Sequence, residues 1–499
     1  MAVVNWTPLA NKTILIAAGK TARLILSQAP IFWGSERQTK GRKTSQAIRN
    51  LMVIISSGPI SFKTSLEKTG IPLPVSAAPK KAKTPLVFAV IGGKIQHMAD
   101  YQPSKKILQK YADVLVKFAL NSGKGVKPGE VVMCQVPDVA KPLALELQNT
   151  ILTAGAQPII RLLPTGFAKD FYTLSNDEQI TFFPKKYLKA QADLIDHRIA
   201  VIAEVDPLEL KHIDPKKPLL SRQSLKPYQD WLVAKELKGQ HTWTIALWAT
   251  PAKAKLVGLS LTAYWQQIIK ACFLDKAKPL NQWQKVLALQ EKILRKINSL
   301  NIQSVRVKGK DVDLHLKIGS DRLWQGGTGR NIPSFEIFTS PDWRGTNGWI
   351  KFNQPLYRYG NMIKGISLKF KAGRIIKASA KTGNKLLQEM IKTKNADKLG
   401  EFSLTDKRLS RISHVMAETL FDENIAGPFG NTHVAIGMAY KDCYKGRAAK
   451  LTVKDWQAKG YNDSAEHTDM ISTSDRTVTA LLPSGKKLVI YRKGSFTLV

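Results

Sequence analysis

Between residues 105 and 118 the apolar side chains Ile107, Leu108, Tyr111, Val114, Leu115 and Phe118 recur at helical spacing, then stop at a Gly-containing turn signal. That pattern predicts an amphipathic helix. The apolar "EVVMCQV" reads as a strand, "VAKPLALELQNTILTAGA" as a helix and "QPIIRLLP" as a second strand. A βαβ unit of this kind implies parallel strands joined by a right-handed crossover. "RIAVIAEVD" and "TWTIALWATP" add further strands, separated by the helical "YQDWLVAKELKG". Residues 98–303 are therefore expected to form an α/β domain with an open, mostly parallel sheet. The helices "LTAYWQQIIKACFL" and "WQKVLALQEKILRKIN" lead out of it.

From about residue 304 the pattern changes to alternation. "SVRVKGKDVDLHLKIG", "GISLKFKAGRIIKASA" and "RTVTALLPSGKKLVIYRKG" read as antiparallel hairpins, with one helix, "NKLLQEMIKT", among them. Residues 304–499 are expected to be an α+β domain. Residues 1–97 differ from both. Their only acidic residues are Glu36 and Glu67, and short apolar pieces such as "TILIAA" and "LMVIISS" are broken before any periodicity builds. This segment is expected to be a disordered basic extension, with a linker-like "PVSAAPKKAKTP" at residues 74–85. A targeting segment or a stretch upstream of a natural start at Met98 would both account for it.

Composition narrows the function. An apolar fraction of 43% in 499 residues is ample for two packed domains. Cys134, Cys272 and Cys443 are far apart and lack a Cys-x-x-Cys spacing, which points to reduced thiols and a cytoplasmic setting. No apolar run is long enough to span a bilayer, so no membrane association is expected. The net charge of +38 would suit a nucleic-acid partner. The lysines, however, are spread along the whole chain without a recognisable nucleic-acid motif, so a solvated basic surface is the preferred reading. The first β-to-α turn, "QVPDVAKP", has neither a glycine-rich nor a Walker pattern, so nucleotide binding is not indicated.

The candidate chemistry lies in the second half. Glu336 sits inside the apolar "SFEIF", Glu401 follows a glycine in "LGEF", and Glu423 belongs to "DEN". His433 and Tyr440 share "THVAIGMAY", while "EHTDM" sets His467 and Asp469 two apart, on one face of an extended strand. Each has an ordinary explanation: an edge carboxylate, a turn, a cap, a core histidine, a packed tyrosine. Together they form an unusual set, because carboxylates in apolar strands are costly to bury without compensation. Two divalent cations about 3.5–4 Å apart would supply it, with oxygen and imidazole ligands mixed.

In their order, "RNIPSFEIFTSPD", "LGE", "LFDEN", "GNTHVAIGMAY" and "HTDM" resemble the motifs of the thermophilic aminopeptidase family, the aminopeptidase T and S metallopeptidases. The resemblance runs from Met98 to the C-terminus and leaves residues 1–97 outside. It implies metal ligands at Glu336, Glu401, Glu423, His433, His467 and Asp469, with Glu401 as the bridge. It implies two divalent ions (zinc, cobalt or manganese) that activate a water to remove N-terminal residues from peptides with a free amine. Tyr440 is then expected to bind the developing oxyanion, and Glu423 to carry the proton to the leaving amine. A homodimer is implied as well. The alternative is a basic nucleic-acid-binding protein without peptidase activity.

Overall fold

The computed structural model describes residues 101–499, and the expectations for residues 1–97 and for a start at Met98 lie outside them. The first helix, Lys105–Val114, is capped by Ser104, whose side chain accepts from the Ile107 N–H. It buries Leu108, Tyr111, Ala112 and Val114, and the predicted helical stripe continues through one wider turn, Leu115–Ala119. Strands β1 (Val131–Pro137), β2 (Gln157–Leu163), β3 (His197–Ile202) and β4 (Thr242–Leu247) follow, all parallel. Both faces of β1 are covered. Val132, Cys134 and Val136 join the core beneath helices Lys105–Val114 and Lys141–Thr153, while Met133 points the other way, to Ala192 and Leu232. Cover on both faces explains the unbroken apolar run.

Next come β5 (Ser304–Gly309), β6 (Val312–Lys317), β7 (Gln325–Gly326), β8 (Asn331–Ile332), β9 (Glu336–Thr339) and β10 (Asp342–Lys351). A short ribbon, β11 (Leu356–Arg358) and β12 (Asn361–Ile363), precedes β13 (Ser367–Lys371) and β14 (Arg374–Ser379). The last strands are β15 (Leu399–Thr405), β16 (Asn431–Gly437), β17 (His467–Ser472), β18 (Arg476–Leu481), β19 (Lys487–Arg492) and β20 (Ser495–Phe496). They build an eight-stranded antiparallel sheet, β14-β13-β10-β6-β5-β18-β19-β20, and a five-stranded one, β17-β16-β15-β9-β7. The two share one core, in which Val305, Val307, Leu314 and Leu368 meet Ile337, Phe402, Val434 and Ile436.

The expected combination of a parallel α/β sheet with an antiparallel α+β part is the fold the chain adopts. One strand crosses from the second region into the first sheet. β8 leaves the antiparallel region and adds to the parallel sheet, giving the order β2-β1-β3-β4-β8 with Ile245 opposite Asn331. An aromatic stack backs this junction: Trp283, on helix Pro279–Ser299, lies nearly parallel to Phe335 with ring centroids 5.5 Å apart. Phe335 is the residue before Glu336.

Candidate metal centre

Residues directly opposite each other in an antiparallel ladder point to the same face. That rule places the sequence candidates. Glu336 opens β9 opposite Thr405, Ser403 faces His433, and His467 faces Gly437. Glu401, Ala435 and Asp469 form one row across β15, β16 and β17. Glu336, Glu401, His433, His467 and Asp469 thus project from one face of four adjacent strands. The opposite face sends Ile337, Phe402, Leu404, Val434, Ile436 and Met470 into the core.

Small residues make the room. Ala435 lies between Glu401 and Asp469. Gly437, opposite His467, has a φ of +98°, and a Cβ there would meet the Glu466 carbonyl oxygen at 2.1 Å. The glycine of "LGE" is required by close approach, since a Cβ on Gly400 would lie 2.2 Å from the Met438 oxygen.

Glu423 comes from outside the sheet, at the C-terminal end of the single turn Thr419–Asp422. Its two neighbours in "DEN" fix it. Asp422 accepts from the Met416 N–H at 2.6 Å and the Glu418 N–H at 3.1 Å. Asn424 accepts from the Phe335 N–H at 2.7 Å, tying the loop to the residue that precedes Glu336. Asn331 then donates to Glu423 Oε1 at 2.9 Å.

The resulting cluster is tight. His433 Nε2 is 3.4 Å from Glu336 Oε2, 3.6 Å from Glu401 Oε1 and 3.8 Å from Asp469 Oδ1. His467 Nε2 is 3.1 Å from Glu401 Oε2 and 3.4 Å from Asp469 Oδ1. Three overlapping groups have ligand atoms within 4.8 Å of one another: Glu336, Glu401 and His433; Glu401, His467 and Asp469; Glu423, His433 and Asp469. Hydroxyls of Ser334 and Ser403 donate to the two oxygens of Glu336, each at 3.1 Å. His467 Nδ1 lies 2.8 Å from the Met438 carbonyl, which fixes Nδ1 as the donor and turns Nε2 toward Glu401.

Burial, with neighbouring carboxylates adding to it, raises Glu336 to about 7 and Glu423 well above the usual range. Burial alone would raise Glu401 too, but hydrogen bonds from His433 and His467 hold it low. Asp469 is likewise held low against burial by the charge of His467. Burial disfavours both imidazolium ions, yet the surrounding carboxylates outweigh it and lift His433 to about 9 and His467 to about 10. Without a cation, protons carry the compensating charge. An oxygen and nitrogen donor set that substitutes protons for positive charge suits divalent cations such as zinc, cobalt or manganese.

Tyr440 stands beside this cluster, its ring edge-on to His467 at 4.8 Å and to Phe338 at 5.4 Å. Burial and the nearby carboxylates raise its phenol well above the usual value, so it is a hydrogen-bond donor throughout the neutral range. All seven candidates line one small, half-open cleft, together with Trp243, Thr328 and Arg330. Sequence reading passed over Asn331, Ser334 and Ser403, which hydrogen-bond the candidate ligands Glu423 and Glu336. The first two lie inside "RNIPSFE" as polar breaks in an apolar run, and Ser403 is two residues past Glu401, hence on its face.

Such a cage of carboxylates and imidazoles, closed on one side by a core and open on the other to a cleft, defines a metal-dependent enzyme. The profile of the thermophilic metalloprotease family (M29) matches residues 104–496, and the chain belongs to that family. Aminopeptidase 2 of Geobacillus stearothermophilus is 26% identical over 430 residues, covering 79% of this chain and 98% of the relative. Aminopeptidase T of Thermus thermophilus is 26% identical over 418 residues, with 79% and 99% covered. The solved structure of wild-type AmpT from Thermus thermophilus shares the fold, with a TM-score of 0.67 at 24% identity over 79% of this chain and 99% of that one. The protein is thus a metalloprotease of this family, and the relatives it matches are aminopeptidases.

Proposed function

We propose that the enzyme removes N-terminal residues from peptides with a free amine, using two divalent ions held by Glu336, Glu401, Glu423, His433, His467 and Asp469. The observation that carries this reading is the set of five ligands on one face of four adjacent strands, joined by Glu423. Glu401 is the proposed bridge. Its two oxygens face different imidazoles, Oε1 toward His433 and Oε2 toward His467, whereas Asp469 turns the single oxygen Oδ1 to both.

When bound, the ions supply positive charge that polarises the scissile carbonyl and lowers the pKa of water. The chain does the rest. Tyr440 donates its phenol proton in a hydrogen bond to the oxygen that gains charge as the tetrahedral centre forms. Glu423 takes a proton from the attacking water and returns it to the leaving amine, with Asn331 holding its Oε1 in place. The cleft confines the peptide terminus, and a carboxylate of the cluster pairs with its ammonium group. The three cysteines are buried and free, which supports work in a reducing, cytoplasmic compartment. Among the described residues no helix is long and apolar enough to cross a membrane. A homodimer follows from the family resemblance, and sedimentation would test it.

The deciding experiment compares free and N-acetylated di- and tripeptides, before and after chelation and with metal restored. Free peptides should lose their first residue only in the metal-loaded state. Cleavage of acetylated peptides, or activity in protein shown by elemental analysis to be metal-free, would overturn the proposal. Burial of Glu336, Glu401, Glu423 and His433 favours this reading over nucleic-acid binding through the +38 charge.

A further inference from the structure

Arg330 belongs to no ligand group, yet it lines the same cleft as Tyr440. Its guanidinium carbon lies 5.0 Å from the centroid of the Tyr440 ring and 5.7 Å from that of Trp243. Nη2 is 2.8 Å from Glu236 Oε1 and 2.8 Å from Asp442 Oδ2, and Nε adds a bond of 3.1 Å to Glu236. Burial would favour loss of the charge, but these carboxylates outweigh it and keep the group cationic. The arginine is itself anchored, because the Ile245 N–H of β4 donates to its carbonyl at 2.7 Å.

A buried ion pair is weak evidence of stability on its own, so its placement matters more than its existence. Here the placement is specific. Phe338 and His467 meet the Tyr440 ring at interplanar angles of 60° and 62° and limit its swing on those sides. The guanidinium supplies a further, charged contact to the same ring. Asp442, the second carboxylate on Arg330, lies two residues past Tyr440 in a turn closed by the Cys443 N–H donating to the Tyr440 carbonyl at 3.2 Å. One cation therefore holds both the ring and the backbone that carries it.

We propose that Arg330 is a positioning residue for peptide hydrolysis, clamping Tyr440 through its ring and through Asp442 so that the phenol hydroxyl meets the scissile carbonyl oxygen. The proposal rests on the role given to Tyr440 above. A displacement of about 1 Å at a reacting group costs on the order of 10²-fold in rate, so Arg330→Met should lower kcat by roughly 10- to 100-fold. KM and metal content should stay near those of the unaltered enzyme, and Arg330→Lys should recover part of the loss.

The test is a double-mutant cycle on the metal-loaded protein with leucine p-nitroanilide, using Arg330→Met, Tyr440→Phe and the pair. If Arg330 acts through Tyr440, Arg330→Met has little further effect once the hydroxyl is gone. Equal losses in both backgrounds would overturn the proposal while leaving the Tyr440 role intact. Full turnover in Tyr440→Phe alone would instead overturn the Tyr440 role, and the clamp with it. A second readout needs neither metal nor activity. In metal-free protein labelled with 3-fluorotyrosine, the ¹⁹F resonance lost in Tyr440→Phe should shift or broaden in Arg330→Met. An unchanged resonance there would also count against the clamp. Should Arg330→Met fail to fold, Asp442→Asn loosens the same clamp from its other end and must give the same pattern.

Discussion

Loading the metal-free protein with a divalent cation should expel protons, and the site predicts roughly how many. His433 titrates near 9 and His467 near 10, so both rings are almost fully protonated at pH 7.5. A ring must be neutral to ligate, so the two imidazoles together release about two protons. Glu336, near 7, adds a fraction, and Glu423, raised well above the usual range, adds up to about one more. Filling the site at pH 7.5 should therefore release about two to three protons, and the overall binding constant should rise about 100-fold or more per pH unit between pH 6.5 and 8.5. Calorimetric titration with zinc in buffers of different ionisation enthalpy reads the number directly, as the slope of observed heat against buffer enthalpy. A slope near zero would refute the reasoning, since it would mean that the imidazoles are already neutral in the empty cluster. The same shifts govern the metal-free fold. Imidazole pKa values raised by folding contribute stability that is complete below about 6.5 and is lost as pH rises through 9 to 10. The melting temperature of chelated protein should fall across that window.

Glu401→Gln should reduce metal content more than any other single ligand change, because this carboxylate turns a different oxygen to each imidazole, whereas Asp469 turns one oxygen to both; elemental analysis across the ligand series checks the ranking. Tyr440→Phe should retain full metal content while kcat falls by about 10²–10³, the usual loss for one oxyanion donor, and steady-state kinetics beside metal analysis separate the two. Ala435→Leu should fill the space between Glu401 and Asp469, whose Cβ atoms flank it in one cross-strand row at roughly 5 Å per step. That variant should fold, by circular dichroism, yet bind metal poorly; unchanged affinity would show that the row is less crowded than the register implies.

Much of this architecture was legible in advance, for local reasons. The runs at β1 to β4 and the alternation at β5–β6, β13–β14 and β18–β19 declare their elements because burial on two faces or one leaves a direct trace in hydrophobic order. The spacing of His467 and Asp469 works the same way. Other features depend on partners distant in sequence. Nothing in "RNI" announces that Asn331 pairs with Ile245, since two residues are too few to show a period. Arg330 reads as one more basic residue in a basic chain until Glu236, Asp442 and the Tyr440 ring are seen around it. Ser403 looks like a neutral strand position until its hydroxyl is found on Glu336.

The two residues of β8 have a thermodynamic consequence. The proposed ion ligands all lie between residues 336 and 469, but Asn331, which orients Glu423, belongs to the edge strand of the parallel sheet. Ion affinity and the seating of that edge strand are then linked functions, and linkage is reciprocal. Whatever free energy the seated strand adds to ion binding, bound ions return to the strand. Amide hydrogens across the β4–β8 seam should therefore exchange more slowly in the holoenzyme than in the apoprotein, although neither Ile245 nor Asn331 is a proposed ligand. Weakening the seam, by Ile245→Ala for example, should in turn loosen the ions. Starved of metal, such an enzyme would open first along this seam, with its two antiparallel sheets still closed on their common core.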